Sequence, residues 1–276
     1  MIRILRPGDE GTLEAFLAPR ADTSMFLRAN ARQGGLEDRG KPRQATYAAA
    51  LGPSGVVALA AHCWNGILLV QAPEQIHEVA RAALAASGRS LKGISGPADQ
   101  VRTARDALGV RKAAVDDADL LYSLDLARLR VPAALAALSL RRPRGNELPL
   151  LIAWREQYLV ETGLSAPGPR LHQDAKSGIE LLQAQGDHWL LEDGGKPVAY
   201  TAFNARLPDI VQVGGVWTPP PLRGRGYARC AVAGSLLDAR AAGARRAILF
   251  TSNTSAARAY EALGFIRAGE YGLLIL

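Results

Sequence analysis

Two clusters in the second half of this 276-residue chain hold residue types that could do chemistry together. The first is Arg223-Gly224-Arg225-Gly226-Tyr227-Ala228. It follows an apolar run over 210–217 and the segment Thr218-Pro219-Pro220-Pro221-Leu222, and it opens a helical pattern. A strand, a glycine-rich loop and a helix N-terminus make an anion site. Glycines let the backbone bend until successive N–H groups converge, and the helix dipole adds positive potential at the same point. Such a site suits a pyrophosphate, and Arg223 and Arg225 add charge that could pair with it. Two well-known glycine loops are excluded. A P-loop requires Gly-Lys-Ser/Thr after its glycines, and a dinucleotide fingerprint requires a small residue where Arg229 stands. A tight strand-to-helix turn without a ligand stays open on this loop alone.

The second cluster runs from Asn253 through Ala256 and Tyr260 to Gly264-Phe265. Alone it is a short helix with Asn253 as N-cap, Gly264 just past its end and Tyr260 half-buried. Together the clusters resemble the GNAT superfamily of N-acetyltransferases. The family's pyrophosphate loop, Gln/Arg-x-x-Gly-x-Gly/Ala, is matched at Arg223, Gly226 and Ala228. Its later pattern, Asn-x-x-Ala-x-x-x-Tyr-x-x-x-Gly-Phe, is matched at Asn253, Ala256, Tyr260, Gly264 and Phe265. The resemblance covers residues 146–276 in motif and the first half only in outline.

The resemblance implies direct transfer of an acetyl group from acetyl-CoA, bound as cosubstrate, to a primary amine on a small molecule or a protein. The cofactor would lie along Val216, Trp217 and Thr218. Its pyrophosphate would sit on Arg223, Gly224, Arg225, Gly226, Tyr227 and Ala228, with Asn253 and Ala256 also against it. The residue matching Tyr260 is commonly the acid that protonates the departing thiolate, a task suited to a phenol with a free pKa near ~10. Gly214-Gly215 could bulge the strand and free N–H groups for the developing oxyanion. The general base stays open among Asp209, Glu192, Glu156 and a water chain. Whether the acyl group is acetyl or longer stays open too. Two alternatives are a non-catalytic acyl-CoA sensor and an aminoacyl-tRNA-dependent transferase. The intact loop argues against the latter, because that donor would make it superfluous.

The elements that must position these residues follow from hydrophobic period and breakers. Helices are expected over 147–161 and 173–185. Strands follow over 188–192, 198–204 and 210–217, the first pair joined by the turn Asp193-Gly194-Gly195. Helix 226–242, strand 247–251, helix 254–263 and strand 271–276 complete this half. The first half repeats the order, from a strand over 2–5 to one over 120–126, but lacks the chemistry. Ala72-Pro73-Glu74-Gln75 replaces the glycine loop, Ala98 stands for Asn253 and Arg105 for Tyr260. The expected fold is therefore α/β with a mixed sheet (α+β), as two GNAT-type acyltransferase domains in tandem. A degenerate copy spans 1–130, a linker with a short helix over 133–140 spans 131–145, and the catalytic domain spans 146–276. The first copy is expected to bind no acetyl-CoA and to wall the acceptor cleft.

Composition limits the other possibilities. The net charge is +7, but the 33 Lys and Arg residues are scattered and no aromatic-and-basic platform appears, so nucleic acid is not an expected partner. No apolar run is long enough to span a bilayer, and no signal peptide is seen, so a cytoplasmic monomer or homodimer is expected. Cys63 and Cys230 form no metal-ligand or disulfide pattern and are expected to pack as small apolar residues.

Overall fold

A computed structural model describes all 276 residues. In chain order the first half forms β1 (Ile2–Ile4), α1 (Glu10–Leu17), α2 (Ala21–Gly34), β2 (Ala45–Gly52), β3 (Gly55–Cys63), β4 (Ile67–Gln71), α3 (Ile76–Ser87), β5 (Gly93–Pro97), α4 (Ala98–Ala107) and β6 (Val115–Asp125). The second half forms β7 (Ser139–Arg141), α5 (Leu148–Glu161), α6 (Leu171–Gln185), β8 (His188–Asp193), β9 (Lys196–Arg206), β10 (Ile210–Trp217), α7 (Tyr227–Ala241), β11 (Arg246–Thr251), α8 (Thr254–Glu261) and β12 (Ile266–Ile275). The two halves match element for element.

The joint differs from its expected form. Residues 133–140 do not make one helix. A 3-10 turn over Ala133–Ala137 leads into β7, which pairs antiparallel with β8 through Ser139↔Glu192, Leu140↔Leu191 and Arg141↔Leu190. Alternation decides this outcome. Leu138 and Leu140, two residues apart, pack with Leu191, Ala199 and Ala231, as a strand allows and a helix does not. The joint thus supplies the second half's counterpart of β1.

The compact units also divide elsewhere than at 131–145. One comprises Met1–Leu121 with Ala268–Leu276, and the other Tyr122–Arg267. Most of β12 thus belongs to the first unit, and β6 is divided between the two at Leu121 and Tyr122. β12 pairs antiparallel with β5, from Tyr271↔Pro97 to Ile275↔Gly93, while β6 neighbours β11. The strand order is therefore β1-β2-β3-β4-β5-β12 in one unit and β6-β11-β10-β9-β8-β7 in the other. In both, an antiparallel meander leads through a helix to a parallel neighbour, β4 to β5 and β10 to β11.

Period-two alternation gives each sheet two apolar faces. In the first unit Tyr47, Ala49, Leu59 and Leu69 meet Leu13, Phe16 and Leu27 of α1 and α2. Ala48, Ala60, Leu68 and Val70 meet Val79, Ala83 and Val101 of α3 and α4. In the second unit Leu190, Tyr200 and Ala202 meet Leu151, Trp154 and Ile179 of α5 and α6. Leu191, Val198 and Ala199 meet Cys230 and Ala231 of α7 on the opposite face. Cys63 and Cys230 are both buried and unpaired, as packing residues should be.

The placement of β12 has a measurable consequence. Leu274 lies fully buried against Ile94 and Val101, although it is two residues from the C-terminus. Leu274→Ala should cost the first unit about 2–5 kcal/mol, the usual range for a buried leucine. Hydrogen exchange should read this as lost protection in β5, its sheet neighbour, and in β4 beyond it, both far upstream in sequence.

Candidate active site

The site is built around an irregular strand. Along β10, Gln212 faces Ala205 of β9, whereas the next residue, Val213, faces Phe203. Asn204 is thus an extra residue on β9. The register then runs Gly214↔Ala202 and Trp217↔Tyr200, so Gly215 and Val216 stand against Thr201 alone. The bulge expected at Gly214-Gly215 thus falls one residue later, at Gly215-Val216. Gly215 has φ +62, a left-handed conformation that suits the leading residue of such a bulge. Gly214 is required for a different reason: a Cβ there would lie 1.9 Å from Nδ2 of Asn204.

On its other side β10 pairs in parallel with β11 only through Ile210↔Arg246, Val211↔Ala247 and Gln212↔Ile248. Beyond these pairs β10 continues to Trp217 and β11 to Thr251 without a shared register. The bulged end of β10 therefore borders a gap in the sheet. Trp217 closes the apolar face below, its ring edge-on to Tyr158 at 6.5 Å. The indole Nε1 of Trp217 and the Oγ1 of Thr218 are buried without a protein partner.

The loop after this strand bends through two left-handed glycines, Gly224 (φ +78) and Gly226 (φ +81). Gly226 is the N-cap of α7, and no side chain caps that helix. The first-turn N–H groups of this 15-residue helix, including those of Tyr227 and Ala228, lack intrahelical acceptors. A Cβ at Gly224 would meet nothing within 4 Å, and one at Gly226 only the tip of Arg229 at 3.8 Å. Space, donors and dipole therefore coincide here, which is what a pyrophosphate needs.

The arginines are disposed differently from the expected pairing. The Arg223 guanidinium donates to the Thr218 carbonyl at 3.0 Å and to Glu161 at 2.8 Å, and lies 4.8 Å from the Trp217 ring. It pins the loop to its own strand and to α5 rather than standing free for an anion. Arg225 is exposed at the loop's outer side. The Tyr227 hydroxyl donates to Asp193 in the β8–β9 turn, 2.5 Å away, so its contribution to an anion is its backbone N–H.

Asn253 accepts from Ser255 N and Ala256 N, at 2.9 and 3.0 Å, and caps α8. Only its amide nitrogen is left for a ligand. Tyr260, one helical face further on, is buried beside Phe265. Burial first, then the neighbouring Tyr158 phenol, raise its pKa well above that of free tyrosine, so it stays protonated.

None of the three candidate bases stands free at the gap. Glu192 is gripped by Arg141, which also holds Glu147 at 2.6 Å. Glu156 binds His172 at 2.6 Å. Asp209 precedes Gly215 by six residues, about 20 Å along an extended strand, and its carbonyl accepts from Arg245 and Arg246.

The motifs did not disclose the other side of the gap. Arg155 of α5 reaches the bulge: its Nη1 would lie 3.2 Å from a Cβ at Gly215. A Cβ there would also lie 3.7 Å from the Tyr200 ring. The Tyr200 hydroxyl hydrogen-bonds His188 Nδ1 at 3.0 Å, and His188 Nε2 pairs with the Gln183 side chain at 3.0 Å. Burial, with Arg142 adding to it, lowers the His188 pKa to about 4, so the imidazole is neutral. One signal for Arg155 was present in the sequence. It falls on the inward stripe of α5, after Leu148, Leu151 and Ile152 and before Leu159, where the period calls for an apolar residue.

Residues 149–265 match the family model described as the acetyltransferase (GNAT) family. No curated protein matches the chain. Among solved structures, a GCN5-related N-acetyltransferase from Kribbella flavida is similar, with 20% identity and a TM-score of 0.61 over 94% of this chain and 95% of that one. A tandem GNAT protein from the clavulanic acid biosynthesis pathway is similar at 14% identity and TM-score 0.58, over 100% and 98% of the two chains. A GCN5-related N-acetyltransferase from Sphaerobacter thermophilus gives 14% and 0.58 over 99% and 94%. It is the second half of the chain that matches the GNAT acetyltransferases. The fold of the whole chain is similar to that of a tandem GNAT protein, and no helix is long and apolar enough to cross a membrane.

The Arg141 cluster has a pH signature. Hydrogen bonds from Arg141 hold the Glu147 pKa at about 2, below its ordinary 4.5. A carboxyl lowered on folding contributes stability that is complete above pH 4.5 and lost as pH falls towards 2. Glu147→Gln should lower stability at neutral pH and flatten its decline across that window. Denaturant midpoints measured between pH 2 and 6 check both effects.

Proposed function

We propose that the protein is an acetyl-CoA-dependent N-acetyltransferase that acetylates a primary amine by direct attack, using one donor site per chain, in the second half. The observation that carries this reading is the opening between β10 and β11, bordered by a bulge and ending at the uncapped, glycine-lined start of α7. The site fits the donor. Left-handed Gly224 and Gly226 leave room for a ligand against the backbone, and Trp217 and Thr218 hold polar atoms without protein partners.

Acetyl-CoA supplies the thioester. The N–H groups of Gly226, Tyr227 and Ala228 would hold its pyrophosphate, and Val216, Trp217 and Thr218 would line its pantetheine. The backbone freed at Gly215-Val216 would stabilise charge developing on the acyl oxygen. A C–N bond forms as the C–S bond breaks, the amine releases one proton and the thiolate gains one. Tyr260, protonated in its buried setting, is the donor of that proton and is restored from solvent.

The first unit has the same topology but a closed counterpart. Gln100 accepts from Ala72 N at 2.6 Å where β4 ends, and Thr23 donates to Gln71 at 2.7 Å. Where Tyr260 stands in the second half, Arg105 pairs with Asp116.

Titration calorimetry should give one acetyl-CoA per chain; two equivalent sites would overturn the assignment. Gly226→Val places a branched side chain at φ +81 against the ligand and should abolish binding while circular dichroism shows the fold retained. Tyr260→Phe should slow the single-turnover rate by about 10²–10⁴-fold with CoA affinity little changed. Single-turnover kinetics are the proper measure, because slow product release would mask the effect in steady state.

A further inference from the structure

Arg155 is anomalous. It lies on the inward face of α5, its Nε is buried without a hydrogen-bond partner, and no carboxylate is paired with it. Its surroundings hold it in place. The guanidinium lies 4.9 Å from the Tyr158 ring centroid, and Gly178 of α6 lies alongside, where a Cβ would be in ordinary contact with Nε at 3.8 Å. From this slot Nη1 faces the Gly215 bulge beside Tyr200. Nearby carboxylates are already engaged: Glu147 and Glu192 by Arg141, Glu156 by His172, Glu161 by Arg223. A partly buried cation without a counter-ion is costly unless a ligand supplies the charge.

The side of the sheet identifies that ligand. The helix that would receive the pyrophosphate, α7, packs on one face of β8 and β9. Arg155 approaches β10 from the opposite face, among α5 and α6. A donor entering from α7 leaves the α5–α6 side to the attacking amine. Resting on the acetyltransferase reading above, we propose that the acceptor is an amine that also bears a carboxylate, as an amino acid does, and that Arg155 binds that carboxylate. The paired N–H donors of a planar guanidinium match the planar geometry of a carboxylate. Because Nη1 lies beside the bulge, the proposal places the carboxylate close to the amine, as in an α- or β-amino acid.

The test uses the full-length protein and a panel of amino acids, their carboxamides and the corresponding amines without a carboxyl group. With acetyl-CoA, the wild type should acetylate at least one amino acid with a kcat/KM about 10–100-fold above its carboxamide, the range for a charge-assisted hydrogen bond. Arg155→Met should erase that preference, and Arg155→Lys should restore part of it. Equilibrium binding to the protein–CoA complex, read by thermal shift and calorimetry, should show the same order without turnover. The proposal is overturned if carboxamides or plain amines serve as well as amino acids, if Arg155→Met keeps the wild-type preference, or if no amino acid binds the CoA complex. In each case measured CoA binding would leave the acetyltransferase reading standing. Absence of acetyl-CoA binding to the wild type would instead sink that reading, and this proposal with it.

Discussion

A parallel strand pair normally satisfies its backbone by continuing side by side, and β10 and β11 do so for only three pairs. At the end where that pairing stops, β10 is bulged against β9. Asn204, an extra residue on β9, fills the space a side chain at Gly214 would need, and Gly215-Val216 then oppose a single residue. Bulges of this kind bend and twist the strand that carries them. The far end of β10 is left bordering a gap, with backbone groups that no neighbouring strand claims. The glycine loop, the start of α7 and the Asn253 cap of α8 all lie beyond the ends of these two strands, so their value as a site depends on that divergence.

The first unit shows the same topology without it. Its β4 and β5 also share three recorded pairs, Ile67↔Gly93 to Leu69↔Ser95. There the backbones stay close, since a Cβ at Gly96 would meet the Val70 carbonyl oxygen at 2.5 Å. The strand end is sealed by Gln100, and the following helix begins after Gln75 in place of a glycine loop. Fold and site are thus separable properties of this duplicated architecture. What distinguishes the halves is a few residues at one strand end, while the alternating cores that fix the elements are alike in plan.

Much of this was legible in the sequence. Hydrophobic period and turn residues place all ten elements of the first half and nine of the second, because each has a clean stripe or alternation ended by Gly, Pro or Asn. The tenth, β7, was obscured because Ala133–Leu140 is apolar throughout, and only its pairing with β8 separates turn from strand. The placement of β6 and β12 was invisible for a deeper reason. A strand's sequence specifies its faces but not its neighbour, and both strands carry patterns that would fit either sheet. At the site, glycines advertise backbone shape reliably, whereas the partners of Arg223 are not legible. Its charge suggests an anion, yet Glu161, sixty-two positions earlier, and the carbonyl of Thr218 claim it.

The absence of a free carboxylate at the gap changes how the amine's proton is to be understood. An amine must be neutral to attack, and a nearby carboxylate usually works against this by stabilising the ammonium form. In an amino acid that carboxylate is part of the acceptor itself. Pairing it with Arg155 would cancel that stabilisation, and the adjoining positive field would favour loss of the proton to solvent. Burial keeps His188 neutral with a pKa of about 4, too low for an effective base at neutral pH, and raises the Tyr200 phenol well above its ordinary value. On the proposed reading the chain would prepare the nucleophile through charge arrangement around the substrate, and the buried proton of Tyr260 would be reserved for the leaving thiolate.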